Sequence, residues 1–313
     1  MKAEPYTLRM SSHTRNLVRI HVAVLLFGFA GLFGKFLSLT PTVLVFWRVV
    51  LAASTLFIAG LVRRSILGPV SRRSLLAFLV LGVLLAVHWT TFFESVRTSS
   101  VAVALITYST FPVFVAFLEP LMFPEPLRAK DVVLAAAALT GVAILTPSWR
   151  LDDRATHGVL WGIASGATFA LLSLLHRKLV SRHASPTIAL YQDLFAAVVL
   201  LPFVVPAAGC VTMRECGLLL VLGVPCTALA HALFIAGMHG VSARTASTIA
   251  CLEPVYGTLL AILMLAELPS LRTVLGGSIV LAVAFYATLR PSGSPEFLTA
   301  ENAESAEGRT KSS

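Results

Sequence analysis

Ten apolar runs follow one another along the chain, near 19–37, 41–62, 74–96, 100–122, 130–147, 158–176, 186–206, 216–238, 243–265 and 271–289. Most approach the roughly 20 residues that a helix needs to cross a hydrocarbon core about 30 Å thick. Lipid offers no water to an unpaired amide, so a crossing segment must bond its backbone internally, and runs of this length do so as helices. Of the 313 residues, 57% are hydrophobic and only 12% charged, against about a quarter charged in soluble domains. A water-soluble fold has too little interior for that much apolar surface. The fold expected is an all-α integral membrane protein with ten transmembrane helices. The first run has the length of a signal peptide, but no small-residue cleavage pattern follows it and nine more runs do, so it is expected to stay as a helix.

Basic residues orient the chain. With the N-terminus placed in the cytoplasm, 17 Lys and Arg fall on the inner side and 5 on the outer, while Lys35 and Arg48 lie within spans and complete the 24. That bias predicts cytoplasmic termini and a multi-pass protein of the cell (inner) membrane. The formal net charge of +9 is explained by topology, and no nucleic-acid partner is needed. Residues 1–18 read as a cytoplasmic tail, and 291–313, "PSGSPEFLTAENAESAEGRTKSS", as a disordered one.

Sliding the chain against itself by 142 residues lays "LMFPE" (121–125) on "LMLAE" (263–267), Pro112 on Pro254, Leu118 on Leu260 and Phe114 on Tyr256. Each copy holds five runs, 19–147 and 158–290. An odd number makes the second copy enter the membrane from the opposite side, the inverted-repeat arrangement of many secondary transporters. Two segments, "SSVAVALITYSTFPVFVAFLEPLMFPEPL" (99–127) and "VSARTASTIACLEPVYGTLLAILMLAELPS" (241–270), resemble the paired signatures of EamA-type transporters of the drug/metabolite transporter superfamily. The resemblance implies ten helices in two inverted five-helix repeats, a central cavity between them, and alternating access for a small metabolite. It does not transfer binding residues.

Candidate site residues therefore come from physics, because ionisable groups inside a span are costly and mark function by default. Glu253 lies about ten residues into the ninth run, roughly 15 Å at 1.5 Å per residue, next to Pro254. Proline donates no hydrogen bond and opposes the carbonyl four residues back, so a kink there is expected to free the Ala250 carbonyl and widen a polar midplane. A substrate amine, a proton or water could share that space with the acid, or Glu253 is a structural acid, neutral and hydrogen-bonded to a neighbouring helix. Pro112 predicts a matching kink, but Phe111 stands where the second copy has Glu253, so the scaffold does not require the acid. Arg48 in the second run, and Gln192 and Asp193 in the seventh, hold similar depths. Arg48 is read as the anchor of a substrate carboxylate with Asp193 as its counter-charge, or else as half of a structural ion pair with it. His88 and His231 could bond solute or relay protons, or simply bond a backbone carbonyl. Trp89 and Tyr108 could stack on an aromatic solute, or pack.

Other residues read as structural. Glu125 and Glu267 recur at helix ends, where capping explains them; Lys35 is expected to snorkel to the headgroups; Gly162 and Gly166 permit close helix approach. Cys210 and Cys216 are both placed outside and could pair. No GxxxxGK[ST] loop or HExxH occurs, and the eight histidines never recur at four-residue spacing, so neither cofactor nor metal is expected. "IASG" (163–166) lacks the glycine two before Ser165 of an intramembrane serine protease, and Asp152 and Asp153 have no second acidic cluster. The function expected is secondary transport of a small organic metabolite, an amino acid or related compound, with export one reading of direction. The partners expected are a small-molecule solute, membrane lipid, and protons or a counter-solute; a homodimer stays open. The alternatives are an integral-membrane enzyme, which lacks a catalytic cluster, and a scaffold, which lacks large soluble loops.

Overall fold

The computed structural model describes residues 11–63, 70–124, 126–148, 150–179, 182–204, 211–237 and 249–289. Among these residues there is helix and short connection but no strand. In chain order the helices are α1 (Ser12–Gly31), the single turn α2 (Phe33–Phe36), α3 (Pro41–Arg63), α4 (Arg72–Thr98), α5 (Val101–Tyr108), α6 (Phe111–Met122) and α7 (Ala129–Leu145). They continue with α8 (Arg154–Leu179), α9 (Ser185–Val204), α10 (Met213–Gly223), a π-helical stretch Val224–Leu229, α11 (Ala230–Gly237), α12 (Glu253–Leu265) and α13 (Leu271–Leu289).

Each predicted run contains helix. Among the described residues, seven stretches are long and apolar enough to cross a bilayer: Ser12–Phe36, Pro41–Val62, Arg72–Thr98, Val101–Met122, Arg154–Leu179, Ser185–Val204 and Met213–Phe234. Those at 130–147, 243–265 and 271–289 carry shorter helices, and the front of the ninth run lies outside the described residues. Starts are capped by hydroxyls. Ser11, Ser71 and Ser100 accept from the amides of Thr14, Ser74 and Val103, and α10 opens on a reciprocal box between Thr212 and Glu215. Each cap satisfies part of the set of four N–H groups that a helix start leaves over.

The central packing is α4 against both α8 and α9, with α3 against α9, α5 and α6 against α8, and α1 against α11 and α12. α7 pairs with α13, α3 also meets α10, and α5 meets α12. Phe33, Phe78, Phe93, Leu44, Leu81 and Leu105 fill the core between these helices and are essentially inaccessible. Leu121, Leu139 and Leu263 instead project from the bundle surface, where lipid rather than water is the natural solvent for them. Gly162 lets α8 lie on α5: a Cβ there would strike the Thr107 hydroxyl and come within 3.0 Å of Ser95 Oγ.

At one end of the bundle Lys35, expected to snorkel to the headgroups, is tied to neighbouring helices. Its ammonium donates to the Ser99 carbonyl at 2.9 Å and pairs with Glu267 at 3.5 Å. The last carbonyls of α4 carry the negative end of a helix dipole and hold the cation there. Glu267 in turn accepts from the Val101 amide, so it caps α5 across the bundle. Its equivalent, Glu125, lies outside the described residues, as does Cys210. Asp152 pairs with Arg150, and Asp153 accepts from the Ser148 hydroxyl and the Ala155 amide at the start of α8; those hydrogen bonds hold the Asp153 carboxyl below its usual range.

Glu267→Gln is expected to cost about 1 kcal/mol, combining a half-screened ion pair with a weakened cap. Urea unfolding of the detergent-purified protein reads this, and an unchanged midpoint would remove the cap from the account.

Candidate functional site

Two helices are interrupted in the same way. α5 ends at Tyr108, Ser109 and Thr110 make a turn, and α6 begins at Phe111 with Pro112 in its first turn. Residues 249–250 are helical, Cys251 and Leu252 make a turn, and α12 begins at Glu253 with Pro254 in its first turn. The residues before the restarts are nearly superimposable, Thr110 at φ −73°, ψ −7° and Leu252 at φ −83°, ψ −7°. The prolines therefore restart helices rather than kink continuous ones, because the missing N–H costs nothing in a first turn. Around Pro112 hydroxyls take up carbonyls of α5: Ser109 donates to Leu105 at 2.8 Å and Thr110 to Thr107 at 2.7 Å. Around Pro254 the first helical residue is the acid itself, at the positive end of the new helix.

Arg48 is the cation of this region. It is 5% exposed, its Nε donates to Thr227 Oγ1 at 2.9 Å, and its guanidinium carbon sits 3.6 Å from the centroid of the Trp89 ring. Thr227 belongs to the π-helical stretch and donates onward to the Leu222 carbonyl at 2.7 Å. One face of Trp89 is thus occupied by Arg48, a desolvated cation–π contact, which leaves that face unavailable to an aromatic solute. The field of Arg48 acts on Asp193 of α9, Glu253 of α12, Cys226 of the π stretch, His88 of α4 and His231 of α11. No ion pair joins Arg48 to Asp193 or to Glu253 among the described residues.

The other expected residues divide. Gln192 is committed, its carbonyl oxygen bonded to His176 Nε2. His88 Nδ1 lies 3.0 Å from the Ser165 carbonyl and 2.9 Å from its hydroxyl, on α8. The His88 ring meets Tyr108 and Phe169 at centroid distances of 5.4 and 5.1 Å. Tyr108 stacks on Phe111 at 5.5 Å and interacts electrostatically with Glu253. His231 meets Phe27 at 5.3 Å and feels His176 as well as Arg48. Glu253 is half-buried, with no hydrogen bond to its side chain among the described residues. Asp193 is 1% exposed, and neither carboxylate oxygen has a hydrogen-bond partner among the described residues. One polar region thus draws on α3, α4, α5, α9, the π stretch, α11 and α12: a guanidinium, two carboxyls without partners and an aromatic wall.

Sequence reading missed Thr227, His176, Ser165 and Phe169. Pro225, inside the eighth run, is a readable sign of the π stretch, since proline removes one amide from the ladder there. His176 has no such sign, because it falls at the end of the sixth run beside Arg177 and Lys178, where basic residues announce topology.

The model of the "EamA-like transporter family" matches residues 17–146 and again 156–289. "Uncharacterized transporter YxxF" of Bacillus subtilis (strain 168) is 24% identical over 294 residues, covering 92% of this chain and 94% of that protein. "Uncharacterized transporter YwfM" of the same organism is 24% identical over 245 residues, 76% of this chain and 81% of its own. An "Uncharacterized transporter" of Archaeoglobus fulgidus is 27% identical over 192 residues, 61% and 68%. A solved crystal structure, 18% identical, covers 89% of this chain and 98% of its own at a TM-score of 0.61, a likeness of fold alone.

Proposed function

The chain belongs to the EamA-like transporter family, and from that premise we propose that it is a multi-pass secondary transporter that moves a small organic metabolite across the cell membrane by alternating access. Its halves, 19–147 and 158–290, are two inverted five-helix repeats, with both termini cytoplasmic. Three observations support the repeat. The family model matches twice in succession. Thr110–Pro112 and Leu252–Pro254 restart their helices alike. Helix partners survive exchange of the halves: α4 with α8 becomes α11 with α1, α6 with α8 becomes α12 with α1, and α3–α9 and α7–α13 map onto themselves.

The observation that carries the solute site is a buried Arg48 whose charge reaches Glu253, at a helix restart, without pairing with it. Discontinuous helices near the midplane are where transporters of this design hold substrates, with helix N-termini aimed at polar groups. A solute with a carboxylate at one end and an amine at the other matches a guanidinium and a carboxylate that do not pair with each other. An amino acid or related compound has that form.

The test is counterflow in proteoliposomes across labelled amino acids, nucleosides, polyamines and vitamins. Saturable exchange of the amino acids is expected. Glu253→Gln should lower it by about 10-fold or more, since a charge-assisted hydrogen bond is worth about 1.5–3 kcal/mol. Wild-type exchange in Glu253→Gln would take Glu253 out of the site, and no exchange of any class by folded protein would end the transport reading.

A further inference from the structure

We propose that Asp193 carries the coupling proton, holding it as a neutral acid while Arg48 rests on Trp89, and that losing this proton draws Arg48 across to Asp193 and releases the solute. The inference rests on the transport reading for its coupling step only; the protonation of Asp193 stands on geometry.

Asp193 is 1% exposed and both its oxygens are without a hydrogen-bond partner. The other buried polar atoms left without one, Trp47 Nε1 and Thr90 Oγ1, are neutral. An ionised carboxylate in that position loses its water and receives nothing in return, and such a group takes a proton instead. Among the described residues the surroundings offer one cation. From α3 comes Arg48, whose charge acts on Asp193 but whose Nε and ring-stacked guanidinium are already engaged. From α4, Phe78 stacks on Tyr191 at 5.2 Å and Gly82 meets Phe195 and Ala196, and the buried titratable group of α4, His88, is bonded to Ser165. On α9 itself Gln192 is held by His176 of α8, and Tyr191 is stacked on Phe78. Arg48 is therefore the cation for which a deprotonated Asp193 and a solute carboxylate compete.

That competition couples the two ligands. With the proton on Asp193, the terminal N–H groups of Arg48 are left to take a carboxylate. When the proton leaves, Asp193 neutralises Arg48 and the solute loses its anchor. Glu253, on α12, binds the solute amine and is not the proton carrier. Proton and solute then travel together, and linkage makes each strengthen binding of the other by the same factor.

Infrared spectroscopy of the purified protein in lipid, without solute, reads the carbonyl stretch of neutral carboxyls. A band is expected near neutral pH that moves when the aspartates carry ¹³C and stays when the glutamates do. Asp193→Asn should remove it; Glu253→Gln should not. In counterflow of labelled amino acids, the pH dependence of exchange should flatten in Asp193→Asn from as much as about tenfold per pH unit, the limit for one titrating group, to less than about twofold. No aspartate band, a band that survives Asp193→Asn, or a wild-type pH profile in that variant would overturn the proposal. Should Asp193→Asn not fold, isotope labelling of the wild type still decides. The band is read without solute, so absent exchange in wild type would end the transport reading and the coupling step with it, while protonation of Asp193 would be judged separately.

Discussion

Arg48→Met should reduce solute exchange by about 100-fold or more while leaving the protein folded. Two hydrogen bonds from a guanidinium to a solute carboxylate, each worth about 1.5–3 kcal/mol when charged, disappear together. The fold tolerates the change for identifiable reasons. Thr227 keeps its own bond to the Leu222 carbonyl at 2.7 Å, so the loss of Arg48 orphans no hydroxyl. Methionine replaces the aliphatic stem, and its sulfur is a favourable neighbour for the Trp89 ring. Arg48→Lys should also fail, by about 10-fold or more, because one ammonium cannot lie flat on Trp89 and donate to Thr227 and still grip a carboxylate in two places. Counterflow, with size-exclusion profiles as the folding control, measures both. Wild-type exchange in Arg48→Met would move the solute site away from α3 altogether.

How much of this could be read from residues alone depended on whether the chemistry was local. Helices were legible because lipid leaves the backbone one solution, and ten apolar runs state it directly. The interruptions were half legible. Pro112 and Pro254 marked the places, but a proline inside an apolar run signals a kink as readily as a restart, and only the backbone at Thr110 and Leu252 tells them apart. Arg48, Asp193 and Glu253 stood out because charge is rare in such runs. What each touches was not legible. An Arg and an Asp at similar depth suggest an ion pair, yet Arg48 is bound to an aromatic ring and a threonine from other helices, and Asp193 is left alone. Long-range geometry decides such matters, and helix rotation is not written in composition. Lys35 shows the same limit: at a span end it reads as a snorkel, while its partners Ser99 and Glu267 lie 64 and 232 positions away.

The second large effect belongs to a residue with no side chain. Gly28→Val should lower both stability and exchange. A Cβ at Gly28 would stand 2.8 Å from the Gly257 nitrogen and 3.0 Å from the Glu253 carbonyl oxygen. Both are backbone atoms, so no rotamer change relieves the clash and α12 must move away from α1. Lipid supplies no hydrophobic drive to hold helices together, and close approach of small residues is what does so. Overpacking costs about 1–3 kcal/mol, and a contact between two backbones belongs at the upper end. The displaced element is the first turn of α12, so Glu253 shifts relative to Arg48 and exchange should fall by about 10-fold or more, as misplacement of a binding group costs. Gly217→Val is the matched control, since a Cβ at Gly217 meets nothing within 4 Å. It should leave exchange unchanged. If Gly28→Val behaved like Gly217→Val in both unfolding and counterflow, the α1–α12 crossing would not be what positions Glu253, and the acid would have to be held by the chain before it.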